Sequence, residues 1–136
     1  IGGWSDRFRK AKTDDVGDFE AVMGWLNDKM PDDVAQVVIH NDYRFDNVVL
    51  NQDNPFEVIG VLDWEMATIG DPLMDLGNRG VTPFWIADLF RLAVIVQQIY
   101  YRFYHGQTKD KRFAAFGHAA NYLEKRCQRL IEASDL

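Results

Sequence analysis

The sequence has a single cysteine, Cys127, and so cannot form a disulfide bond within one copy of the chain. It also lacks the clustered cysteines and histidines that indicate structural zinc. An unpaired cysteine is typical of a reducing compartment, and we therefore expect a cytoplasmic location. The first residues contain no basic stretch followed by an apolar run, so no signal peptide is predicted.

Basic residues are also scarce. Lysine and arginine number 15 against 21 acidic residues, which gives a net charge of −6, and no basic run occurs. Proteins that bind nucleic acid usually present a basic face, so we expect no nucleic-acid partner. With 136 residues, 47% of them hydrophobic, the chain is long and apolar enough for one domain with a sizeable core.

No long hydrophobic run is free of charge. The most apolar stretch, Phe84 to Tyr104, contains Asp88, Arg91 and Arg102. Charges at these positions favour a buried helix of a globular domain over a membrane span. We therefore expect no membrane partner.

Apolar periodicity and turn-forming residues predict a mostly helical α+β protein. Residues 1–12 show no clear pattern. Asn51 to Pro55 is rich in turn formers, so the strands on either side should form a β-hairpin platform. The predicted helices span about 14–29, 72–76, 84–104 and 110–133, and the predicted strands span 35–39, 48–50 and 58–62.

Two stretches carry the residues suited to chemistry: HNDYRFDN at 40–47 and VLDWE at 61–65. Their polar side chains stand at predicted strand ends, where a rigid scaffold can hold reactive groups near solvent. Several carboxylates and an amide brought together there would repel one another unless a cation intervened. Magnesium prefers such hard oxygen ligands.

Phosphoryl transfer needs few protein groups. One carboxylate orients the attacking hydroxyl, while an amide and a second carboxylate hold the magnesium ions that bridge the nucleotide phosphates. Protein kinases place these groups in an H-R-D motif, an asparagine five residues after its aspartate, and a later D-F-G. Here Asp42 precedes Asn47 by five residues, and Asp63 follows a predicted strand.

The stretches HNDYRFDNVVLN and VIGVLDWEMATIGDPLMDLG resemble the aminoglycoside phosphotransferase and choline-kinase-like family, most closely the branch linked to acyl-CoA dehydrogenases. The resemblance implies a protein-kinase-like fold, with Asp42 as catalytic residue and His40 shaping its loop. It implies that Asn47 and Asp63 bind magnesium and, through it, ATP. Asp75 matches an acid that buttresses the catalytic loop.

Glu65 and Arg44 are further candidates beside this site. Glu65 could approach a metal ion or pair with Arg44. Asp46 is expected either to stabilise the loop or to be an exposed acid, and Asp71 is expected to cap a turn or a helix. The acceptor implied by the resemblance is a small molecule with a hydroxyl group. The dehydrogenase-linked branch favours a hydroxylated acyl compound or another metabolic substrate over an antibiotic.

The sequence departs from the family in two places. Nothing before His40 supplies a G-x-G-x-x-G loop or a V-A-I-K-like strand, so the chain resembles the C-terminal lobe alone, as one domain spanning 1–136. The connection from Asn78 to Leu89 is also shorter than the usual helical insertion. We therefore expect little activity from this chain by itself, and self-association or helix exchange between copies.

Two other functions remain open. A kinase lobe without its nucleotide lobe could serve as a non-catalytic interaction or scaffold domain. A metal-dependent hydrolase using His40, Asp42 and Asp46 is the third possibility, although such sites usually gather more histidines.

Overall fold

The computed structural model describes residues 1–75 and 82–136. The chain divides into two compact units, the first formed by Ile1–Pro31 with Val81–Leu136 and the second by Asp32–Gly80. The first unit is helical and the second carries the strands. Helices combined with small antiparallel sheets confirm the predicted mostly helical α+β class.

The described residues of the first unit include four α-helices: α1 (Gly2–Lys10), α2 (Glu20–Lys29), α3 (Thr82–Tyr104) and α4 (Phe116–Glu132). Its core is built around three fully buried phenylalanine rings, Phe8, Phe19 and Phe90, with centroids 4.7–6.2 Å apart. Cys127 is buried on α4 within the same core, and desolvation raises the pKa of its thiol to about 12. A buried neutral thiol of this kind is structural.

The predicted helix over about 14–29 is present and ends at Lys29 as predicted, but its predicted start was wrong, because α2 begins only at Glu20. The preceding loop bonds to α4 instead: the Gly17 N–H donates to Asn121 Oδ1 and the Phe19 N–H donates to Glu124 Oε1. Phe19 itself has a left-handed φ of 56°, which no helix accommodates. Helix α1, for which the sequence gave no clear pattern, precedes this loop.

The two long C-terminal helices were largely predicted. Helix α3 begins two residues earlier than expected and ends at Tyr104 as expected, with Gly106 in the left-handed conformation shortly after it. The predicted helix over 110–133 is α-helical only from Phe116, because Lys111–Ala115 forms a 3-10 turn capped by Asp110. No helix within residues 1–75 and 82–136 combines the length and apolar character needed to cross a membrane.

The second unit contains two small antiparallel sheets. Strand β2 (Val48–Leu50) pairs with β3 (Val58–Val61), which confirms the predicted hairpin. Strand β1 (Val37–Ile39) pairs with β4 (Thr68–Gly70), a three-residue strand that the sequence did not reveal. It was missed because Thr68–Gly70 contains a single apolar residue, Ile69, whereas the equally short β1 and β2 are continuous apolar runs.

The last described element of this unit is a 3-10 turn at Pro72–Met74, where the sequence predicted a short helix over 72–76. Asp71 caps it as predicted, accepting from the Leu73 N–H at 2.7 Å. The other Asp71 oxygen accepts from the Val34 N–H, so the buried carboxylate also fixes the segment before β1. The expected end of the helix near Leu76 and Gly77, and the start of the shortened connection at Asn78, lie outside the described residues.

Candidate functional site

His40 stands at the end of β1 and is almost completely buried. Its Nε2 lies 2.7 Å from the Leu62 carbonyl, and its Nδ1 lies 3.2 Å from the Asp42 N–H. A carbonyl can only accept and a backbone N–H can only donate, so His40 must be the neutral tautomer with its proton on Nε2. Both ring nitrogens are thus occupied, and His40 joins the loop carrying Asp42 to the end of β3.

Asp75 holds the backbone at the start of this loop. Its two carboxylate oxygens accept from the His40 N–H at 2.6 Å and the Asn41 N–H at 2.7 Å. Asn41 has a left-handed φ of 68°, so the chain reverses sharply there. Charge-assisted hydrogen bonds to two successive amides stabilise this reversal.

Asn47 closes the loop from its other end. Its Nδ2 donates to the Asp42 carbonyl at 2.9 Å and to Asp42 Oδ2 at 3.1 Å. Because both partners are acceptors, the amide nitrogen must face Asp42, and the Asn47 oxygen is turned away from it. The Asp42 carboxylate is therefore oriented by Asn47, while the amide oxygen remains suitable for a cation.

Asp63 follows Leu62, the residue after β3, and both backbone polar groups of Leu62 are hydrogen-bonded. The Leu62 N–H donates to the Asn47 carbonyl at 2.8 Å, and the Leu62 carbonyl accepts from His40. Asp63 then adopts a left-handed φ of 65° and exposes its side chain. The backbone hydrogen bonds of Leu62 thus bring the residue before Asp63 directly beside His40 and Asn47.

The sequence left open whether Glu65 pairs with Arg44 or approaches a metal ion. In the structure Arg44 pairs with Asp46 instead. Both partners are largely exposed, as is Glu65 in the turn after Asp63. The hydrogen bond from Arg44 to Asp46, with the charges of Asp46 and Asp42, raises the pKa of the guanidinium. Asp46 is thus an exposed acid paired with Arg44, and its stabilisation of the loop stays a prediction.

The oxygen donors at the site suit magnesium. Among the described residues no group of three or more His, Cys, Asp or Glu side chains is placed to hold a metal ion. Magnesium bound with a nucleotide, however, takes one or two protein oxygens and completes its shell with phosphates and water. Asn47 Oδ1 and the exposed Asp63 carboxylate are a donor set of that kind.

Trp64 is the part of this site that sequence reasoning missed. Its Nε1–H donates to the Val61 carbonyl at 2.8 Å, and its ring lies 4.7 Å from the His40 ring. The available signal was its position directly after Asp63, together with its ability to donate a hydrogen bond from an aromatic ring.

A sequence model of the phosphotransferase enzyme family matches residues 2–115. The chain belongs to this family. The fold agrees: a crystal structure of a candidate aminoglycoside phosphotransferase from Ralstonia eutropha superimposes with a TM-score of 0.82 at 21% identity. The match covers 100% of this chain and 55% of that protein. The family resemblance predicted from the two motifs is thereby confirmed.

Similar curated proteins come from the branch indicated by the motifs. Human acyl-CoA dehydrogenase family member 11 is 36% identical over 86 residues, or 62% of this chain and 11% of that protein. Mouse acyl-CoA dehydrogenase family member 10 is 34% identical over 73 residues, or 54% of this chain and 7% of that protein. The chain thus spans about a tenth of the length of these relatives.

Proposed function

We propose that this chain carries the catalytic loop of an ATP- and magnesium-dependent phosphotransferase that acts on the hydroxyl group of a small molecule. One observation carries the proposal: the Asn47 amide nitrogen donates to both the carbonyl and the carboxylate of Asp42, which leaves Oδ1 as the remaining polar atom of that side chain. A single side chain can then orient the base and bind a cation. Family membership supports phosphate transfer as the reaction class.

Asp42 acts as the general base. It accepts the proton of the acceptor hydroxyl as the oxygen attacks the transferred phosphoryl group. The Asp42 N–H is held by His40 and its carboxylate by Asn47, so the base is oriented before the acceptor arrives. Such preorganisation lowers the cost of reaching the reactive geometry.

Asn47 Oδ1 and Asp63 would hold magnesium, which supplies charge neutralisation for the nucleotide phosphates when bound. The two residues are far apart in sequence, but the hydrogen bonds of Leu62 to Asn47 and His40 bring the residue before Asp63 next to Asn47. Asp75 contributes indirectly, because it fixes the backbone from which the Asp42 loop departs.

The acceptor is proposed to be a hydroxylated acyl compound, since several relatives are named as acyl-CoA dehydrogenase family members. A cytoplasmic location is proposed with it, from the single buried cysteine. The hydrolase alternative gains no support, because both His40 ring nitrogens are engaged and Asp46 pairs with Arg44.

The test uses Mn²⁺·ATP as a paramagnetic probe in the 136-residue chain. Mn²⁺ bound at the site should broaden the NMR signals of the Asn47 side-chain amide and of the Asp63 backbone amide. Asp63→Asn should remove most of this broadening, because it replaces a carboxylate ligand by a weaker neutral oxygen. Asp53→Asn, which removes the same charge from the exposed hairpin turn, is the matched control and should change nothing at Asn47.

Turnover is measured in a longer protein that contains this chain together with a nucleotide lobe. Asp42→Asn should lower phosphate transfer by about a hundredfold to ten-thousandfold, the usual range for general-base catalysis. Broadening that survives Asp63→Asn, or turnover that survives Asp42→Asn, would contradict the proposed roles.

A non-catalytic scaffold function is the second candidate. It is favoured by apolar side chains that stand exposed in the second unit, including Phe45 and Phe56 at 81% and 97% exposure. A longer protein that contains this chain with a nucleotide lobe, binds no Mn²⁺·ATP and does bind another protein would support it.

A further inference from the structure

We propose that Trp64 is a positioning residue that couples the turn carrying Asp63 to the histidine that holds Asp42. The inference deepens the proposed phosphotransferase function and rests on it for its catalytic meaning. The geometric coupling is independent of turnover and can be measured separately.

The first contact of Trp64 concerns the turn around Asp63. Its indole N–H donates to the Val61 carbonyl at 2.8 Å, three residues back along the chain. This bond spans Asp63, whose left-handed φ of 65° is sparsely populated by residues other than glycine, although aspartate tolerates it better than most. The indole therefore helps to hold Asp63 in a conformation that the free chain would rarely adopt.

The second contact concerns His40. The Trp64 and His40 rings lie 4.7 Å apart with an interplanar angle of 56°, within the range of favourable tilted aromatic pairs. His40 in turn bonds to the Asp42 N–H and the Leu62 carbonyl. Trp64 is thus positioned to keep the His40 ring in the orientation that both hydrogen bonds require.

Burial alone does not explain a tryptophan here, because 49% of the residue remains exposed. Phenylalanine would cover His40 but could not donate to Val61. Leucine would retain apolar volume but would provide neither the aromatic contact nor the hydrogen bond. The two contacts together therefore specify an indole.

Amide hydrogen exchange, followed by NMR in the 136-residue chain, separates the two contacts. The Leu62 N–H, bonded to the Asn47 carbonyl, reports the end of β3, and the Asp42 N–H, bonded to His40 Nδ1, reports the histidine. Trp64→Phe should accelerate exchange at Leu62 by about three- to tenfold, the equivalent of one net hydrogen bond, and leave Asp42 unchanged. Trp64→Leu should accelerate both.

The matched control is Trp85→Phe, which removes a partly exposed indole from α3 in the other unit and should alter neither amide. Amides in the middle of α3, at Ala93 and Val94, serve as an internal reference. Acceleration at these amides equal to that at Leu62 would reveal general destabilisation and would overturn a positioning role. Unchanged exchange at Leu62 in Trp64→Phe would overturn it as well.

Turnover in the longer protein distinguishes this inference from the proposed function. If Asp42→Asn leaves phosphate transfer intact, the proposed function fails whatever the exchange data show. If Asp42→Asn abolishes transfer but Trp64→Phe leaves the Leu62 amide unchanged, only the positioning role fails. We expect Trp64→Phe to lower kcat with little change in the KM for the acceptor, because it disturbs orientation at the site and not the binding of the acceptor.

Discussion

The side chain of Asn47 combines two tasks that a sequence motif presents as one. Its amide nitrogen donates to Asp42, and we propose that its oxygen binds a cation. At the level of single residues, the candidate site is therefore a network in which each polar group constrains the next. Substituting one residue of this network should therefore also change the orientation of the residues that it hydrogen-bonds.

Substitution of Asn47 tests this dependence directly. Asn47→Ala leaves the Asp42 carbonyl without its donor and should lower the free energy of unfolding by about 1–2 kcal/mol. Asn47→Asp should be more harmful at pH 7, since it places a second carboxylate against that of Asp42, and acidification should partly restore stability as one of the two becomes protonated. Urea denaturation of the unsubstituted chain and of the two variants, at pH 7 and pH 4, measures both effects. Equal stability of all three at pH 7 would show that the amide contact contributes little.

The spacing of His40, Asp42 and Asn47 could be read from the sequence because all three belong to one short loop. The contacts of Trp64 and Asp75 could not, since they depend on where β3 and the Pro72–Met74 turn pass relative to that loop. The resemblance placed Asp75 near the loop. The structure adds the two backbone amides to which it bonds.

Among the secondary-structure elements, helices α3 and α4 pack closely at Gly117, near the start of α4. A Cβ atom at this position would lie 2.7 Å from Cζ of Tyr100, whose ring is held by a hydrogen bond to Asp15. Gly24, inside α2, has no atom within 4 Å of the equivalent point. The two glycines can be compared directly, because a methyl group added at Gly117 would be crowded by Tyr100 and one added at Gly24 would have open space.

We expect Gly24→Ala to raise the free energy of unfolding by about 0.5–1 kcal/mol through its better helix propensity. Gly117→Ala should lower it by about 1–3 kcal/mol, because the Tyr100 ring cannot move without straining its bond to Asp15. Denaturant unfolding of both variants measures the difference. A stabilised Gly117→Ala would mean that α3 and α4 separate easily at this point.

The Tyr100–Asp15 pair also links the loop after α1 to helix α3. The hydrogen bond to Asp15, followed by burial, raises the pKa of Tyr100 to about 12, above the ordinary phenol value of about 10. For Asp15, desolvation opposes the charged form, but hydrogen bonds from Tyr100 and Thr13 outweigh it and lower the pKa.

The raised pKa of Tyr100 predicts a dependence of stability on alkaline pH. A group whose pKa is higher in the folded state stabilises the fold fully below its unfolded pKa, and this contribution is lost as the pH rises through the folded value. The stability difference between the unsubstituted chain and Tyr100→Phe should therefore be constant up to about pH 9 and shrink between pH 10 and 12. Urea denaturation at each pH measures it. A difference that does not change with pH would show that the phenol titrates normally.

The loop from Thr13 to Phe19 explains why the predicted helix began too early. Its acidic residues resemble helix caps, yet Asn121 and Glu124 of α4 bond to its amides and keep it out of the helix. Long-range side-chain contacts of this kind leave no periodic signal in the local sequence. The long amphipathic helices were predictable because their own periodicity determines them.

At the scale of the whole molecule, exposed apolar surface is concentrated in the second unit. Val38, Phe45, Phe56, Ile59 and Ile69 each expose 60% or more of their surface. Apolar surface of this extent tends to find a partner. We expect copies of the chain to associate as concentration rises, even though the net charge of −6 opposes it.

Light scattering coupled to size-exclusion chromatography measures this association over a range of concentrations. Phe45→Ser with Phe56→Ser should shift the chain toward monomer. Leu92→Ser, which removes another exposed apolar side chain from α3 in the first unit, is the control and should leave association in place. A monomer at all concentrations in the unsubstituted chain would contradict the prediction.

The 136-residue chain by itself should transfer phosphate from ATP slowly or not at all. Its loop holds the proposed base, Asp42, in place through Asn47, but most of the rate in phosphoryl transfer comes from positioning and from charge stabilisation on the phosphates. The sequence before His40 contains no glycine-rich phosphate loop and no V-A-I-K-like lysine strand to provide them. The measurement is phosphate transfer to a panel of hydroxylated acceptors, with Asp42→Asn as the blank. Turnover well above that blank would place a phosphate-binding element within the chain itself, and α1 with the Thr13–Phe19 loop would be the first region to search by substitution.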